Sequence, residues 1–174
     1  DAVDNAGGVD CSDNEVNIKI LLNGLVQNGD LTVKQRNNLL YDMTDEVGDI
    51  VIEDCYRQTH SLSITAMRGV NQLKEQVRFI HELERTDKLD RSLEFIPDDE
   101  EIADRLSKGN GLTRPELSVL LAYSKMVLKE DLVHEDVTDN PYYDRLLIGS
   151  FPKQLRDKYQ EQMQQHPLRA EIIA

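Results

Sequence analysis

The stretch that decides the fold is VNQLKEQVRFI, residues 70–80, where apolar residues recur at intervals of three and four: Val70, Leu73, Val77 and Ile80. This spacing places the apolar side chains on one face of a helix, whereas a half-buried strand would alternate with a period of two. The pattern therefore predicts an amphipathic α-helix that buries one face.

Helix-start signals occur on both sides of this stretch. Thr32 with Gln35, and Thr113 with Glu116, have the three-residue spacing of a capping box, in which two side chains satisfy free backbone N–H groups reciprocally. The acidic run 98–101 follows Pro97, where negative charge complements the positive end of a helix. These signals predict helices that begin near residues 33, 98 and 114.

Further apolar residues recur every four positions near the end of the chain, at Phe151, Leu155, Tyr159 and Met163. We find no convincing strand and no internal repeat of about 20–50 residues. The sequence therefore predicts an all-α fold, a bundle of about seven or eight helices.

The beginning of the chain has a different composition. Residues 1–11, DAVDNAGGVDC, are small, acidic and Gly-rich, which predicts a loop, and Ser12 with Glu15 forms another capping box that predicts a helix start. Residues 16–29 are ambiguous, because the apolar residues of VNIKI alternate as in a strand. The preceding cap and the Asn-Gly pair at its end favour a helix.

Composition excludes several classes of protein. The 174 residues include 20 basic and 33 acidic side chains, a net charge of −13, which argues against nucleic-acid binding. No apolar run approaches the roughly 18–20 residues of a membrane span. The two cysteines are too few for a disulfide scaffold, and we expect a cytoplasmic location. Because the chain opens on a loop and LRAEIIA stops within an apolar helix face, we expect a fragment of a longer polypeptide.

The most unusual feature of the sequence is the pair Gly7-Gly8, shortly before Ser12. Two glycines permit close backbone approach, and a helix N-terminus favours an anion. By spacing alone, a Gly-Gly turn followed by a Ser cap is the commoner explanation, and Asp10 and Asp13 would repel an anion. No metal site is expected, since the four histidines lack ligand spacing. Cys55 occupies an apolar helix position and is predicted to pack.

The segment NAGGVDCSDNEVNIKILLN, residues 5–23, resembles the large bacterial NAD-specific glutamate dehydrogenases. GDLTVKQRNNLLYDMTDEV, residues 29–47, and LTRPELSVLLAYSK, residues 112–125, continue the resemblance. The resemblance implies oxidative deamination of L-glutamate to 2-oxoglutarate and ammonia, with NAD as the hydride acceptor. It also implies that residues 1–30 end the catalytic, dinucleotide-binding domain. Residues 31–174 would then form a helical C-terminal domain that is cut short at its end.

The resemblance assigns roles to four residues. Asn5 would lie near the nicotinamide and the reacting carbon, and Gly7 and Gly8 would let the chain pass close to the cofactor. Ser12 would bind the side-chain carboxylate of glutamate together with a lysine from another domain. Asn14 departs from the family, which has His there.

No segment here resembles the family's acid–base motifs, and no Gly-x-Gly-x-x-Gly fingerprint is present, so no catalytic residue is assigned. We therefore expect the fragment alone to be inactive. Its partners would be the remaining domains of the same chain and further copies in a homo-oligomer. The alternative hypothesis is a non-catalytic, acidic helical module with an interaction or regulatory role, which the charge and the amphipathic helices also suit.

Overall fold

The computed structural model describes residues 4–134 and 137–174, with side chains from residue 6 onward. Within these ranges the fold is all-α and contains no strand, which confirms the predicted fold class. Ten α-helices occur there: α1 (Asp4–Gln27), α2 (Val33–Asp42), α3 (Thr44–Arg68), α4 (Val70–Arg85), α5 (Asp99–Ser107), α6 (Arg114–His134), α7 (Asp144–Gly149), α8 (Lys153–Arg156), α9 (Gln160–Gln164) and α10 (Arg169–Ile173). Two short 3-10 turns, Val137–Asp139 and Pro141–Tyr143, precede α7.

The predicted Gly-rich loop is wrong for residues 4–11, because α1 already begins at Asp4. Gly7 and Gly8 therefore lie inside a helix, and Ser12 is an interior helical residue rather than an N-cap. Residues 1–3 of the predicted loop lie outside the described residues. The helical prediction for residues 16–29 is confirmed. α1 ends at Gln27, and Gly29 follows with a left-handed φ of 83°, which glycine adopts without steric cost.

The other predicted helix starts agree with the structure. At the start of α2, Thr32 Oγ1 accepts from the Gln35 backbone N–H at 3.3 Å, and Gln35 Oε1 accepts from the Thr32 N–H at 2.9 Å. α5 begins after Asp98, whose carboxylate caps the helix. α6 begins at Arg114, as the Thr-Arg-Pro-Glu pattern predicted.

The region 151–163 forms two short helices, α8 and α9, instead of the single helix that its periodicity suggests. The backbone departs from helical geometry at Tyr159, with φ −128° and ψ 32°. Hydrogen bonds of helical length still join Tyr159 N to Leu155 O and Met163 N to Tyr159 O. Phe151, Leu155 and Met163 consequently remain buried, and the apolar periodicity survives the break. This break and the other short C-terminal helices raise the count above seven or eight.

The helices divide into two compact units. The second unit, Asp4–Cys55 with Met126–Ala174, combines both ends of the described chain. Its core is a cluster of nine buried residues: Ile18, Leu21, Leu22, Leu25, Met43, Leu147, Phe151, Leu155 and Met163. α1 thus contributes four apolar side chains to this core, which explains why it is helical despite its glycines.

The first unit contains Tyr56–Lys125. An ion pair within it joins α5 to α6, because Arg105 donates to both carboxylate oxygens of Glu116 at 2.7 and 2.9 Å. A backbone contact lies nearby, since a Cβ added at Gly111 would lie 2.8 Å from the carbonyl carbon of Gly69. Glycine is therefore required at position 111 for the two segments to approach this closely.

Candidate functional site

The two faces of α1 differ in what they contact. At about 100° per residue, Ile18, Leu25 and Gly7 fall on one side of the helix, and the first two are buried in the core of the second unit. Ser12 lies about 120° around the helix from Ile18, and Gly8 lies one helical turn before Ser12. Both residues are exposed. The structure therefore leaves two of the four predicted site residues, Gly8 and Ser12, on an outward face of α1.

Gly7, the fourth predicted site residue, faces α3 instead. It is half-buried, and a Cβ added there would lie 3.5 Å from Cys55 Sγ, an ordinary contact distance. Cys55 is itself half-buried, as its apolar helix position predicted. The role of Gly7 in the described structure is thus helix packing, and Gly8 is the glycine on the outward face.

Ser12 is available for a ligand. Its side chain is exposed, and its hydroxyl has no hydrogen-bond partner within the part of the chain that the structure describes. The side chain of Asn5 lies outside the described residues. Asn14, where the resemblance expects His, is half-buried and donates from Nδ2 to the backbone oxygen of Asp10 at 2.9 Å. Asn14 therefore bonds within α1 rather than to a neighbouring group.

The electrostatics of the outward face are acidic near Ser12. Asp13 follows it directly, and Glu15 lies one turn further along the helix. Lys19 pairs with Glu15, and the hydrogen bond from Lys19 holds the Glu15 pKa below its ordinary value. Because that lysine already has a carboxylate partner, a carboxylate ligand at Ser12 requires a positive group from outside α1.

Three of the four histidines have contacts of other kinds. His60 stacks on Tyr56, His81 lies 3.0 Å from Asp99, and His166 is buried with its Nε2 3.1 Å from the Asn17 backbone oxygen. Across residues 4–134 and 137–174, no three His, Cys, Asp or Glu side chains are placed to hold a metal ion. The same ranges contain no helix with the length and apolar character to cross a membrane.

The sequence interpretation missed a cavity in the first unit. It has a volume of about 280 Å³ and lies between α3, α4 and α6, where its lining includes Leu62, Gln76, Phe79 and Leu121. One signal for it is visible in the sequence. Gln72 and Gln76, one helical turn apart, directly precede the apolar positions 73 and 77 of the seam. They bring polar groups to the edge of an apolar face.

Comparison with known proteins shows which families this sequence is similar to. The sequence model described as "Bacterial NAD-glutamate dehydrogenase, catalytic domain" matches residues 1–65, and that described as "Glutamate dehydrogenase, C-terminal" matches residues 109–174. Both models describe segments of glutamate dehydrogenases.

Individual relatives narrow the class. The chain is 52% identical over all 174 residues to a protein named NAD-specific glutamate dehydrogenase from Pseudomonas aeruginosa, and 50% identical to one of the same name from Halomonas elongata. A third, from Mycobacterium tuberculosis, is 38% identical over 173 residues. Over essentially its whole length the chain is therefore similar to a segment of bacterial proteins named NAD-specific glutamate dehydrogenase. It spans about a tenth, 11%, of the length of these relatives.

Proposed function

We propose that this chain is a segment of an enzyme that oxidatively deaminates L-glutamate to 2-oxoglutarate and ammonia while NAD accepts the hydride. The support is the similarity to proteins named NAD-specific glutamate dehydrogenase, which extends over the whole chain. Hydride transfer requires that several protein groups hold the cofactor and the substrate in the correct relative orientation. Since this chain carries no nucleotide-binding fingerprint, most of the NAD-binding contacts and the acid–base steps would be supplied by other segments of the polypeptide.

The segment's own contribution would be the outward face of α1 that carries Gly8 and Ser12. The observation that supports this assignment is that the Ser12 hydroxyl is exposed, faces away from the core, and has no hydrogen-bond partner among the described residues. A hydroxyl can donate to the side-chain carboxylate of glutamate. A lysine from another domain would share that carboxylate and offset the charge of Asp13. Asn5 would lie near the nicotinamide.

Gly8 is the better candidate for close approach of NAD, because it is exposed and has no side chain. The cofactor-binding role of Gly7 rests only on the resemblance, because Gly7 faces Cys55. Binding of the cofactor by this segment alone is not expected, because one glycine face offers few contacts.

The remaining helices would form the packing part of the enzyme. In this proposal residues 1–30 end the catalytic domain and residues 31–174 form the helical C-terminal domain, which packs against the rest of the polypeptide and, in a homo-oligomer, against further copies. A cytoplasmic location fits an NAD-linked reaction and two cysteines that form no disulfide with each other.

The experiment is steady-state kinetics on the whole polypeptide, with Ser12→Ala compared with the wild type. We expect glutamate-dependent NADH formation, a kcat/KM for glutamate about 10-fold or more lower in the variant, and an unchanged KM for NAD. Ser107→Ala is the matched control, because Ser107 is also an exposed helical serine. Absence of glutamate-dependent turnover contradicts the proposed activity. Turnover that is insensitive to Ser12→Ala contradicts only the role of α1, and would favour a purely structural helical module.

A further inference from the structure

One side of α3 presents a row of large side chains to solvent. Tyr56, Ile64 and Met67 are 61%, 40% and 88% exposed, and the ring of His60 stacks on that of Tyr56. At about 100° per residue, these four positions fall within about 80° of one another around the helix. Buried Leu62 lies about 140° around the helix from Met67. The row, here named the α3 face, is therefore separate from the side of α3 that is buried.

The residues around the α3 face differ in charge from the rest of the chain. Acidic residues occupy 33 of the 174 positions, about one in five, but residues 56–68 contain no Asp, Glu or Lys. The same stretch carries Arg57 and Arg68, and Arg68 is exposed without an ion-pair partner in the described ranges. Aromatic residues, Met and Arg are enriched in the centre of protein interfaces, whereas Lys, Glu and Asp are depleted there. The composition of the α3 face is thus that of a surface which another segment covers.

The comparisons indicate where such a segment lies. The chain spans 11% of the length of its relatives, so about nine-tenths of such a polypeptide lies outside it. The sequence model of the catalytic domain matches residues 1–65, which include three of the four positions of the α3 face. A helix with an apolar face buries that face against another element of its domain. The missing element is then part of the same polypeptide.

We propose that the α3 face is covered, in the whole polypeptide, by a segment of its catalytic part that lies outside these 174 residues. The covering surface is apolar opposite Tyr56, Ile64 and Met67 and carries an acidic group near Arg68. A second copy of this chain is a poorer occupant, because two chains of charge −13 repel each other. The inference rests on the proposed function only in that this chain is a segment of a longer enzyme.

Met67 is a natural reporter for this contact, because hydrogen peroxide converts an accessible methionine to its sulfoxide. The rate of its oxidation is measured by peptide mass spectrometry in the 174-residue chain and in the whole polypeptide. We expect Met67 to react about tenfold or more slowly in the whole polypeptide, while the buried Met43 and Met163 react slowly in both. Equal rates at Met67 in the two proteins would overturn the proposal. Protection of Met67 that increases with the concentration of the 174-residue chain would assign the face to a second copy and would also overturn it.

Cross-linking distinguishes a segment of the same polypeptide from a neighbouring copy. A photoreactive benzophenone side chain is placed at position 56 of the whole polypeptide. We expect a product that keeps the mass of one polypeptide on a denaturing gel and joins position 56 to a peptide outside residues 1–174. A product of twice that mass contradicts the proposal. Both measurements need no turnover, so a polypeptide without glutamate-dependent NADH formation would count against the proposed function and not against the α3 contact.

Two tyrosine substitutions provide a matched pair in the whole polypeptide. Tyr56→Lys changes the α3 face, whereas Tyr41→Lys changes a tyrosine of α2 that is 83% exposed and has the polar Asn37 and Asn38 one turn away. We expect Tyr56→Lys to raise the oxidation rate of Met67 several-fold and Tyr41→Lys to leave it unchanged. If Tyr56→Lys leaves Met67 fully protected, or if Tyr41→Lys exposes it equally, the assignment of the α3 face is wrong.

Discussion

The ion pair between Arg105 and Glu116 provides the sharpest test of how the first unit is stabilised. The perturbation is Glu116→Gln, which keeps the shape of the side chain and removes its charge. Glu116 has a side chain only 11% exposed, and it accepts from both terminal nitrogens of Arg105 and from the Thr113 backbone N–H at 2.7 Å. The variant thus affects both the α5–α6 contact and the start of α6.

The magnitude follows from these contacts. Losing one partner of a fully buried pair costs about 3–5 kcal/mol, and a hydrogen bond to a charged group contributes about 1.5–3 kcal/mol. Arg105 is 20% exposed and keeps a second carboxylate, Glu101, at 2.5 Å, so its charge is not left without a partner. We therefore expect Glu116→Gln to lower the free energy of unfolding by about 2–3 kcal/mol, which corresponds to about 4–12 °C in Tm for a chain of this size.

The assay is urea denaturation followed by circular dichroism at several pH values. Burial raises the Glu116 pKa, but the hydrogen bonds from Arg105 and Thr113 outweigh it and hold the pKa below its ordinary value. A carboxylate with a lowered native pKa stabilises the fold fully above its unfolded pKa of about 4.3, and that contribution is lost as the pH falls through the native pKa. The advantage of the wild type over Glu116→Gln should therefore be constant near pH 7 and shrink below about pH 4.3.

Glu82→Gln serves as the control, because its partner Arg85 is also close but both side chains are more than half exposed. Exposed pairs contribute little, so this variant should unfold almost as the wild type does. If Glu116→Gln behaves like Glu82→Gln, or if its deficit is the same at pH 3 as at pH 7, the reasoning from burial and hydrogen bonding is refuted.

Three further predictions concern other parts of the chain. Gly111→Ala should lower the free energy of unfolding by about 1–3 kcal/mol, because its Cβ would meet the Gly69 backbone. Gly48→Ala, on an open helix face, should instead raise it by about 0.5–1 kcal/mol. Chemical denaturation that ranks the two variants otherwise contradicts the close approach of Gly111 to Gly69. Burial lowers the pKa of His166, so the free energy of unfolding should fall as the pH drops below about 6.5, where only the unfolded chain takes up the proton. His166→Gln should lack this pH dependence, and an unaltered dependence would assign it to another group. The isolated chain should reduce no NAD with glutamate, and clear turnover would show that the missing segments are dispensable.

The fold class was predictable because the apolar periodicity and the helix caps agreed with each other. Thr32 with Gln35 and the acidic run after Pro97 act within four residues, so their effects are visible in the sequence itself. The ion pair between Arg105 and Glu116 was not predictable, because it depends on how two helices meet.

The error at the beginning of the chain has a physical cause. Glycine costs about 1 kcal/mol in a helix interior, so two adjacent glycines before Ser12 predict a loop. Local preference is overridden here because Ile18, Leu22 and Leu25 fix α1 in the core and the helix continues back to Asp4. The spacing of Ser12 and Glu15 is compatible with a cap but also with an interior turn. The start of α1 at Asp4 shows that the second holds.

The candidate site was only partly visible in the sequence. The resemblance named Asn5, Gly7, Gly8 and Ser12, and the helix exposes Gly8 and Ser12 but turns Gly7 toward Cys55. Had these residues formed a loop, as the sequence predicted, their side chains would not have been assigned to different faces. The cavity near Gln76 was missed because polar residues beside an apolar seam are usually solvated, and three helices must be placed before a cavity between them is evident.

The proposed contact between Ser12 on α1 and the side-chain carboxylate of glutamate is tested most directly by substrate discrimination in the whole polypeptide. The measurement is the ratio of kcat/KM for L-glutamate to that for L-norvaline, in which a methyl group replaces the carboxylate, in wild type and Ser12→Ala. Losing a hydrogen bond to a charged group costs about 1.5–3 kcal/mol. We therefore expect the ratio to fall about 10- to 150-fold in the variant, with norvaline turnover little changed. An unchanged ratio would contradict the assignment and leave Ser12 as an exposed helical residue without a role in the pocket.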